Sequence, residues 1–207
     1  MLKILALVPP RSVISAFTAL PPNLSAEEVA ERRKVVENNI KVFQNTRKYV
    51  SASCWHANPA ESAGMWSQYL RTGEGIAVQT SFARLKQACS ASPIPVMGAM
   101  VQYVDFDTFE PHDVNILIWA ALKRTSFEHE REFRLLSLHD PSPAGFPLQV
   151  DLSSLIETVY VAPTTPTWIL DLARKVLSRY SLRVEVKRSA LQDAPNYYQL
   201  PDWARGA

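Results

Sequence analysis

Hydrophobic and polar positions switch between helical and strand periodicity along the chain, which predicts a protein of mixed α and β structure. The clearest helix covers residues 25–48, where Ser25 and Glu28 have the spacing of a capping box and apolar residues recur at helical intervals. Alternation at residues 49–55 predicts a strand. The same signals predict further helices at 59–71, 81–88, 113–126 and 165–180, and further strands at 75–79, 96–104, 130–138, 146–150, 158–161 and 182–186.

This order of elements predicts the α+β fold class. We expect a single domain over residues 1–207, in which helices cover a mixed, mostly antiparallel sheet. Several connections are too long for hairpins and too short for helical crossovers, which favours the mixed sheet. Residues 1–47 are expected to contribute a short strand or loop and the long helix, and residues 194–207 an aromatic tail that docks on the domain.

The composition is that of a folded protein without a broad charged surface. The 207 residues include 22 Lys and Arg, 20 Asp and Glu, and 10% aromatic residues, with a net charge of +2. This balance excludes a mostly disordered chain and gives no reason to expect a broad nucleic-acid or membrane-binding surface. Two cysteines, Cys54 and Cys89, cannot staple a domain of this size, and the first apolar run has only five residues. Both features predict a cytoplasmic protein with reduced thiols.

An ordered set of short motifs begins at the first predicted strand. It comprises Cys54-Trp55, Glu61-Ser62, Met65-Trp66, Tyr69, residues 75–77, residues 101–104, Lys123-Arg124, residues 127–134 and residues 159–163. In this set the chain resembles a bacterial domain-of-unknown-function family, number 2971, over about residues 48–195. The resemblance implies a shared fold and brings no established chemistry. Many members have a further strand and helix ahead of the long helix, so the resemblance also implies that residues 1–47 are a shortened family N-terminus.

The most suggestive chemical group is Glu130, Glu132 and Arg134, which share one face if residues 130–138 form a strand. Two carboxylates so placed can divide the work of glycosyl transfer, one binding a sugar hydroxyl and the other stabilising an oxocarbenium-like centre. A strand-borne Glu-x-Glu is similar to the signature of ADP-ribosyltransferases, and Ser51-Ala52-Ser53 is similar to their Ser-x-Ser motif. The similarity implies ADP-ribosyl transfer or NAD cleavage, with NAD as candidate substrate, Glu132 as catalytic carboxylate and Glu130 as its substrate-orienting partner.

Other candidate ligand-binding residues are aromatic or basic. Aromatic rings can stack on a base or on nicotinamide, and they are equally suited to a core between sheet and helix. The local concentration of positive charge at Lys123, Arg124, Arg131 and Arg134 can orient an anion such as pyrophosphate, or form an internally compensated ion network with the two glutamates. The full set of candidate ligand-binding residues is Ser51, Ser53, Trp55, Glu61, Trp66, Tyr69, Lys123 and Arg134.

Two other functional classes stay open on the sequence. A non-catalytic sensing or interaction module, in stress or phage defence, needs no cleft at the glutamates. A metal-dependent nuclease would use carboxylates together with a lysine, although the spacing typical of such centres is absent. Its candidate residues are Glu61, Asp105, Lys123, His129, Glu130 and Glu132. The sequence contains no zinc-like spacing of Cys and His and no phosphate-loop motif, and it leaves open whether the chain is an enzyme and how it assembles.

Overall fold

The computed structural model describes residues 24–70, 72–109, 115–140 and 145–194. Its contacts divide the chain into two compact units, each built from two separate stretches of sequence. The first unit comprises Met1–Asn58 and Ser92–Gln149, and the second comprises Pro59–Ala91 and Val150–Ala207. The predicted N-terminal strand or loop, the first two residues of the helix predicted at 113–126 and the aromatic tail beyond residue 194 lie outside the described residues.

The predicted α+β class is confirmed, with strands that are mostly antiparallel. Short 3-10 helices at Arg47–Tyr49 and Thr125–Glu130 accompany the regular elements. In chain order the α-helices and β-strands are α1 (Ala26–Thr46), β1 (Val50–His56), α2 (Ala63–Tyr69), β2 (Ile76–Gln79), α3 (Phe82–Ser90), β3 (Met97–Met100), β4 (Gln102–Val104), α4 (Ile116–Trp119), β5 (Leu122–Arg124), β6 (Glu132–Leu138), α5 (Leu152–Leu155), β7 (Thr158–Val161), α6 (Thr167–Arg179) and β8 (Glu185–Arg188).

The strands of the first unit form two small sheets. β6 lies between β1 and β3, antiparallel to both, and β4 pairs with β5 in parallel. One face of β6 packs on α4, because the buried core of this unit contains Leu136 from β6, Ala52 from β1 and Trp119 from α4. Each large apolar side chain that is fully buried contributes about 1.5–3 kcal/mol to the stability of such a core.

The second unit contains a three-stranded sheet in the order β2-β7-β8. β2 is antiparallel to β7, and β7 is parallel to β8, to which it is connected through α6. Val159, Val161 and Val186 form the buried face of this sheet. They pack against one side of α6, which contributes Ile169, Leu170, Ala173 and Leu177.

Several predicted boundaries are confirmed by specific hydrogen bonds. The Ser25 amide donates to Glu28 Oε2 at 2.8 Å, and the Glu28 amide donates to Ser25 Oγ at 3.3 Å, which is the predicted capping box. Ser81 caps α3 as expected, since its side chain accepts a hydrogen bond from the Arg84 amide. The strand predicted at residues 158–161 is β7.

Other predictions need correction. The helix predicted from residue 59 begins four residues later, because the side chain of Ser62 provides the capping oxygen. The predicted helix over residues 113–126 is wrong: within its described part, α4 ends at Trp119 and Lys123 lies on β5. No strand forms in the described residues 145–150, where one was expected. The strand predicted at residues 96–104 is split at Val101 into β3 and β4, which belong to different sheets.

Within the described ranges, no helix combines the length and the apolar character that crossing a bilayer requires. Both Cys54 and Cys89 are free thiols, as predicted.

Candidate functional site

Four charged side chains of the first unit meet at the start of β6. Glu132 and Arg134 belong to β6, Glu130 ends the preceding 3-10 helix, and Lys123 lies on β5. We call these four residues the charged quartet. Of the four predicted cations, Lys123 and Arg134 therefore meet the two glutamates, although Glu130 does not lie on the strand as predicted.

Arg131 makes this convergence possible. It adopts a left-handed conformation with φ 40° and ψ 53°, which ends the 3-10 helix and turns the chain into β6. Its amide donates to the Glu128 carbonyl at 3.1 Å, and its carbonyl accepts from the Ala57 amide at 2.8 Å. A left-handed conformation costs a non-glycine residue about 1–2 kcal/mol. We infer that the ion pairs on either side of Arg131 offset this cost.

The ion pairs of the charged quartet are short and use both carboxylates. Lys123 Nζ lies 2.7 Å from Glu130 Oε2 and 2.6 Å from Glu132 Oε1, so that one ammonium bridges the two glutamates. The other oxygen of Glu132, Oε2, accepts from Arg134 Nε at 2.6 Å. Both oxygens of Glu132 are thus held by cations.

Burial distinguishes the charged quartet from a surface ion network. Glu130 and Arg134 are each 1% exposed and Glu132 is 5% exposed. A second guanidinium nitrogen of Arg134 donates to the Ala120 carbonyl at 2.5 Å. Breaking a buried, hydrogen-bonded charge pair of this kind is far more costly than breaking an exposed one.

Two side chains that the sequence did not single out for this role complete the surroundings of the charged quartet. The Tyr103 hydroxyl accepts a hydrogen bond from the Glu132 amide at 2.8 Å. His56 Nδ1 donates to the Glu130 carbonyl at 2.7 Å, because a carbonyl oxygen can only accept. The strand pattern around Tyr103 gives no sign of this hydrogen bond.

The electrostatics of the site follow from these contacts. Burial alone would raise the pKa of Glu132, but the hydrogen bonds that Glu132 accepts from Lys123 and Arg134 help to outweigh it, and the pKa is lowered to about 2. Burial would lower the pKa of Lys123, and its hydrogen bonds to the two glutamates raise it above the usual value instead. Burial, followed by the nearby charge of Glu132, raises the pKa of the Cys54 thiol. A thiol of raised pKa is a weak nucleophile, which favours a structural role for Cys54.

The Ser-x-Ser motif lies on the other face of the sheet. Cys54 pairs with Arg134 across β1 and β6, so these two residues share a face, and Ser51 and Ser53 point away from it. Ser51 contacts the ring of His139, and Ser53 Oγ accepts from Trp55 Nε1 at 3.1 Å. The two motifs therefore do not converge on one ligand site, contrary to the arrangement that the similarity implies.

No family model, curated protein or solved structure matches this chain. The resemblance to family 2971 stays a prediction.

The remaining predicted ligand-binding residues belong to the second unit. Glu61 Oε2 accepts from Trp66 Nε1 at 3.4 Å and from the Ser189 hydroxyl. Tyr69, at the end of α2, exposes half of its surface. Glu61 therefore acts in the described structure as a hydrogen-bond acceptor that joins α2 to the end of β8.

Chemically, the charged quartet is suited to holding structure together. A glycosyl-transfer carboxylate must face the sugar, and Glu132 instead faces Lys123 and Arg134. Among the described residues, no group of three or more His, Cys, Asp or Glu side chains could hold a metal ion. Asp105, a candidate nuclease ligand, instead accepts the Asp107 amide at 3.0 Å within a turn.

Proposed function

We propose that the chain is a non-catalytic interaction module and that its second unit binds an amphipathic helical segment of a partner protein. The observation that carries this proposal is a stripe of exposed apolar side chains along α6. Their spacing of four residues puts them on one side of the helix. Trp168, Leu172, Val176 and Tyr180, which we call the α6 stripe, expose between 46% and 72% of their surface.

The α6 stripe is distinct from the side of α6 that packs on the sheet. Successive residues of an α-helix are rotated by about 100° around its axis. Followed in that direction of rotation, the centre of the α6 stripe comes about 100° before the centre of the side that packs on the sheet. Connections between parallel strands are right-handed, which puts this flank of α6 towards β2 and away from β8. The neighbouring part of the sheet is also apolar, because Ile76 and Val78 are opposite Val161 and Val159 and share their face.

Ile76 and Val78 are themselves 58% and 38% exposed. We therefore infer an apolar groove with the α6 stripe as one wall and β2 as its floor. Scattered apolar side chains are normal on protein surfaces, whereas a continuous row beside an exposed apolar strand is typical of a binding site. A hydrophobic groove can bind the apolar face of one amphipathic helix.

Charge determines the kind of helix that fits. Lys175 and Arg179 flank the α6 stripe on its solvent side, and neither forms an ion pair within the described part of the chain. A partner with glutamate or aspartate beside its apolar face would be attracted to these cations and held in register. The occupant that we propose is accordingly an amphipathic helix with an acidic rim.

The test uses a labelled helical peptide with leucine at i, i+3, i+4 and i+7 positions and glutamate on both flanks. We expect saturable binding to the full chain by fluorescence anisotropy, with a Kd below about 100 μM. Leu172→Glu should weaken binding more than about tenfold, because it puts a carboxylate in the centre of the apolar wall. The same peptide with lysine in place of glutamate should bind more weakly.

Leu191→Glu is the matched control, since Leu191 is exposed to a similar extent and follows β8, at the far edge of the sheet from β2. It should leave both binding and the melting temperature unchanged. Absence of saturable binding, or equal binding by Leu172→Glu, would refute the proposal. A dimer of the chain that Leu172→Glu converts to a monomer would show that the groove binds a second copy, and this too would refute it.

The sequence predicts NAD handling through Glu132, and this prediction has its own test. Millimolar NAD should raise the melting temperature by several degrees if it binds tightly. The buried ion pairs of the charged quartet lead us to expect no such rise. A reduced bacterial cytoplasm also remains the predicted location, on the two free thiols and the family resemblance.

A further inference from the structure

A cavity of about 420 Å³ lies at the C-terminal end of α6, in the second unit. Its polar lining residues are Arg174, Ser178, Ser181 and Arg183, and its apolar lining residues include Leu182 and Val184. No carboxylate is among the described residues that line it. The volume is within the range of sites that bind small molecules, about 300–1,000 Å³.

The turn that follows α6 fixes the shape of this cavity. Ser181 has a left-handed backbone with φ 57°. Its amide donates to the Ser178 carbonyl at 2.9 Å, and the Leu182 amide donates to the Leu177 carbonyl at 2.9 Å. This pattern ends a helix by engaging its last carbonyls. The negative end of the α6 dipole, which would repel an anion, is thereby partly neutralised beside the cavity.

The charges around the cavity favour an anion. Arg183 has no ion-pair partner among the described residues, and Arg174 has only an exposed contact of 3.4 Å with Asp171. The acidic residue nearest to Arg183 along the chain is Glu185, which pairs with Lys187 at 2.9 Å. Guanidinium groups form paired hydrogen bonds with the oxygens of phosphate or carboxylate, and serine hydroxyls can donate to the remaining oxygens.

We propose that this cavity binds a small phosphomonoester whose organic part lies on Leu182 and Val184. Two arginines match the double charge of a phosphomonoester better than the single charge of a carboxylate. The proposal is independent of the groove beside the α6 stripe, which lies on another side of the helix.

The experiment is a titration of the full chain with phenyl phosphate by isothermal calorimetry at low ionic strength. We expect saturable binding with a Kd of about 1 mM or tighter, and weaker binding of inorganic phosphate, which lacks the apolar part. The Arg174→Gln and Arg183→Gln double variant should lose at least about tenfold in affinity. Both arginines are exposed, so the fold should survive, and the melting temperature checks this.

The matched control is the Lys175→Gln and Arg179→Gln double variant, which removes the same charge from the same region without altering the cavity lining. It should change the affinity for phenyl phosphate less than about threefold. No saturable binding up to 10 mM, or equal losses in the two double variants, would overturn the proposal, because equal losses indicate only general charge attraction. Benzoate binding as tightly as phenyl phosphate would overturn the assignment to phosphate.

Discussion

Replacing Glu132 by glutamine tests directly whether the charged quartet holds the first unit together. The substitution keeps the size of the side chain and removes its charge. Lys123 retains Glu130 as a partner at 2.7 Å, whereas Arg134, which is 1% exposed, loses the carboxylate 2.6 Å from its Nε. The carbonyl of Ala120 is then the main remaining acceptor for Arg134.

The expected loss in the free energy of unfolding is about 3 kcal/mol at pH 7. Removing one partner of a buried ion pair costs about 3–5 kcal/mol, because the other charge stays buried and unpaired. The lowered pKa of Glu132 has the same sign, because the folded protein favours the ionised carboxylate. For a chain of this length, 3 kcal/mol corresponds to a fall in melting temperature of about 6–12 °C.

Urea unfolding followed by far-ultraviolet circular dichroism measures this loss, with Glu128→Gln as the control. Glu128 is an exposed glutamate of the same 3-10 helix, so its replacement should change the unfolding free energy by less than about 0.5 kcal/mol. If Glu132→Gln also lowered the free energy of unfolding by less than about 1 kcal/mol, the charged quartet would not be what holds the first unit together. That result would refute the structural role of the ion pairs and make Glu132 a stronger candidate for catalysis.

Two further predictions concern the same sheet. Because the folded pKa of Glu132 lies below its unfolded value of 4.5, its stabilisation is full above that pH and is lost as the pH falls towards 2, so wild type and Glu132→Gln should converge in stability over this interval. Gly98→Ala should lower the free energy of unfolding by about 1–3 kcal/mol, since a Cβ there would lie 2.7 Å from the Phe133 ring. Gly64→Ala is the control and should lower it by nothing, because the nearest contact of a Cβ at that position is 3.8 Å. An equally large loss in Gly64→Ala would contradict the packing argument.

Local signals in the sequence were sufficient for elements that depend on nearby residues. The capping box of Ser25 and Glu28 and the cap of α3 at Ser81 each involve residues three apart, so their spacing is visible in the sequence. Most of β6 was likewise predicted, because Phe133, Leu135 and Leu136 belong to an apolar strand pattern.

The predictions failed where long-range pairing decides the structure. The apolar run from Ile116 to Leu122 suits a helix or a buried strand, and periodicity alone does not distinguish them. Only its last residue, Leu122, belongs to β5, which pairs in parallel with β4 so that Lys123 lies beside Tyr103. The left-handed conformation of Arg131 could not be predicted either, because no glycine or asparagine marks the turn in the sequence.

The charged quartet also shows why a Glu-x-Glu motif alone is a weak sign of catalysis. A carboxylate stabilises a developing positive charge through the negative potential that it presents to the substrate. In the charged quartet two cations lie 2.6 Å from the oxygens of Glu132, so they occupy the positions from which a substrate would feel that potential. The same contacts that keep Glu132 ionised therefore reduce the negative potential that it can present to a substrate. Within the described part of the chain, exposed cations and apolar side chains without such partners are found on α6, and function is better sought there.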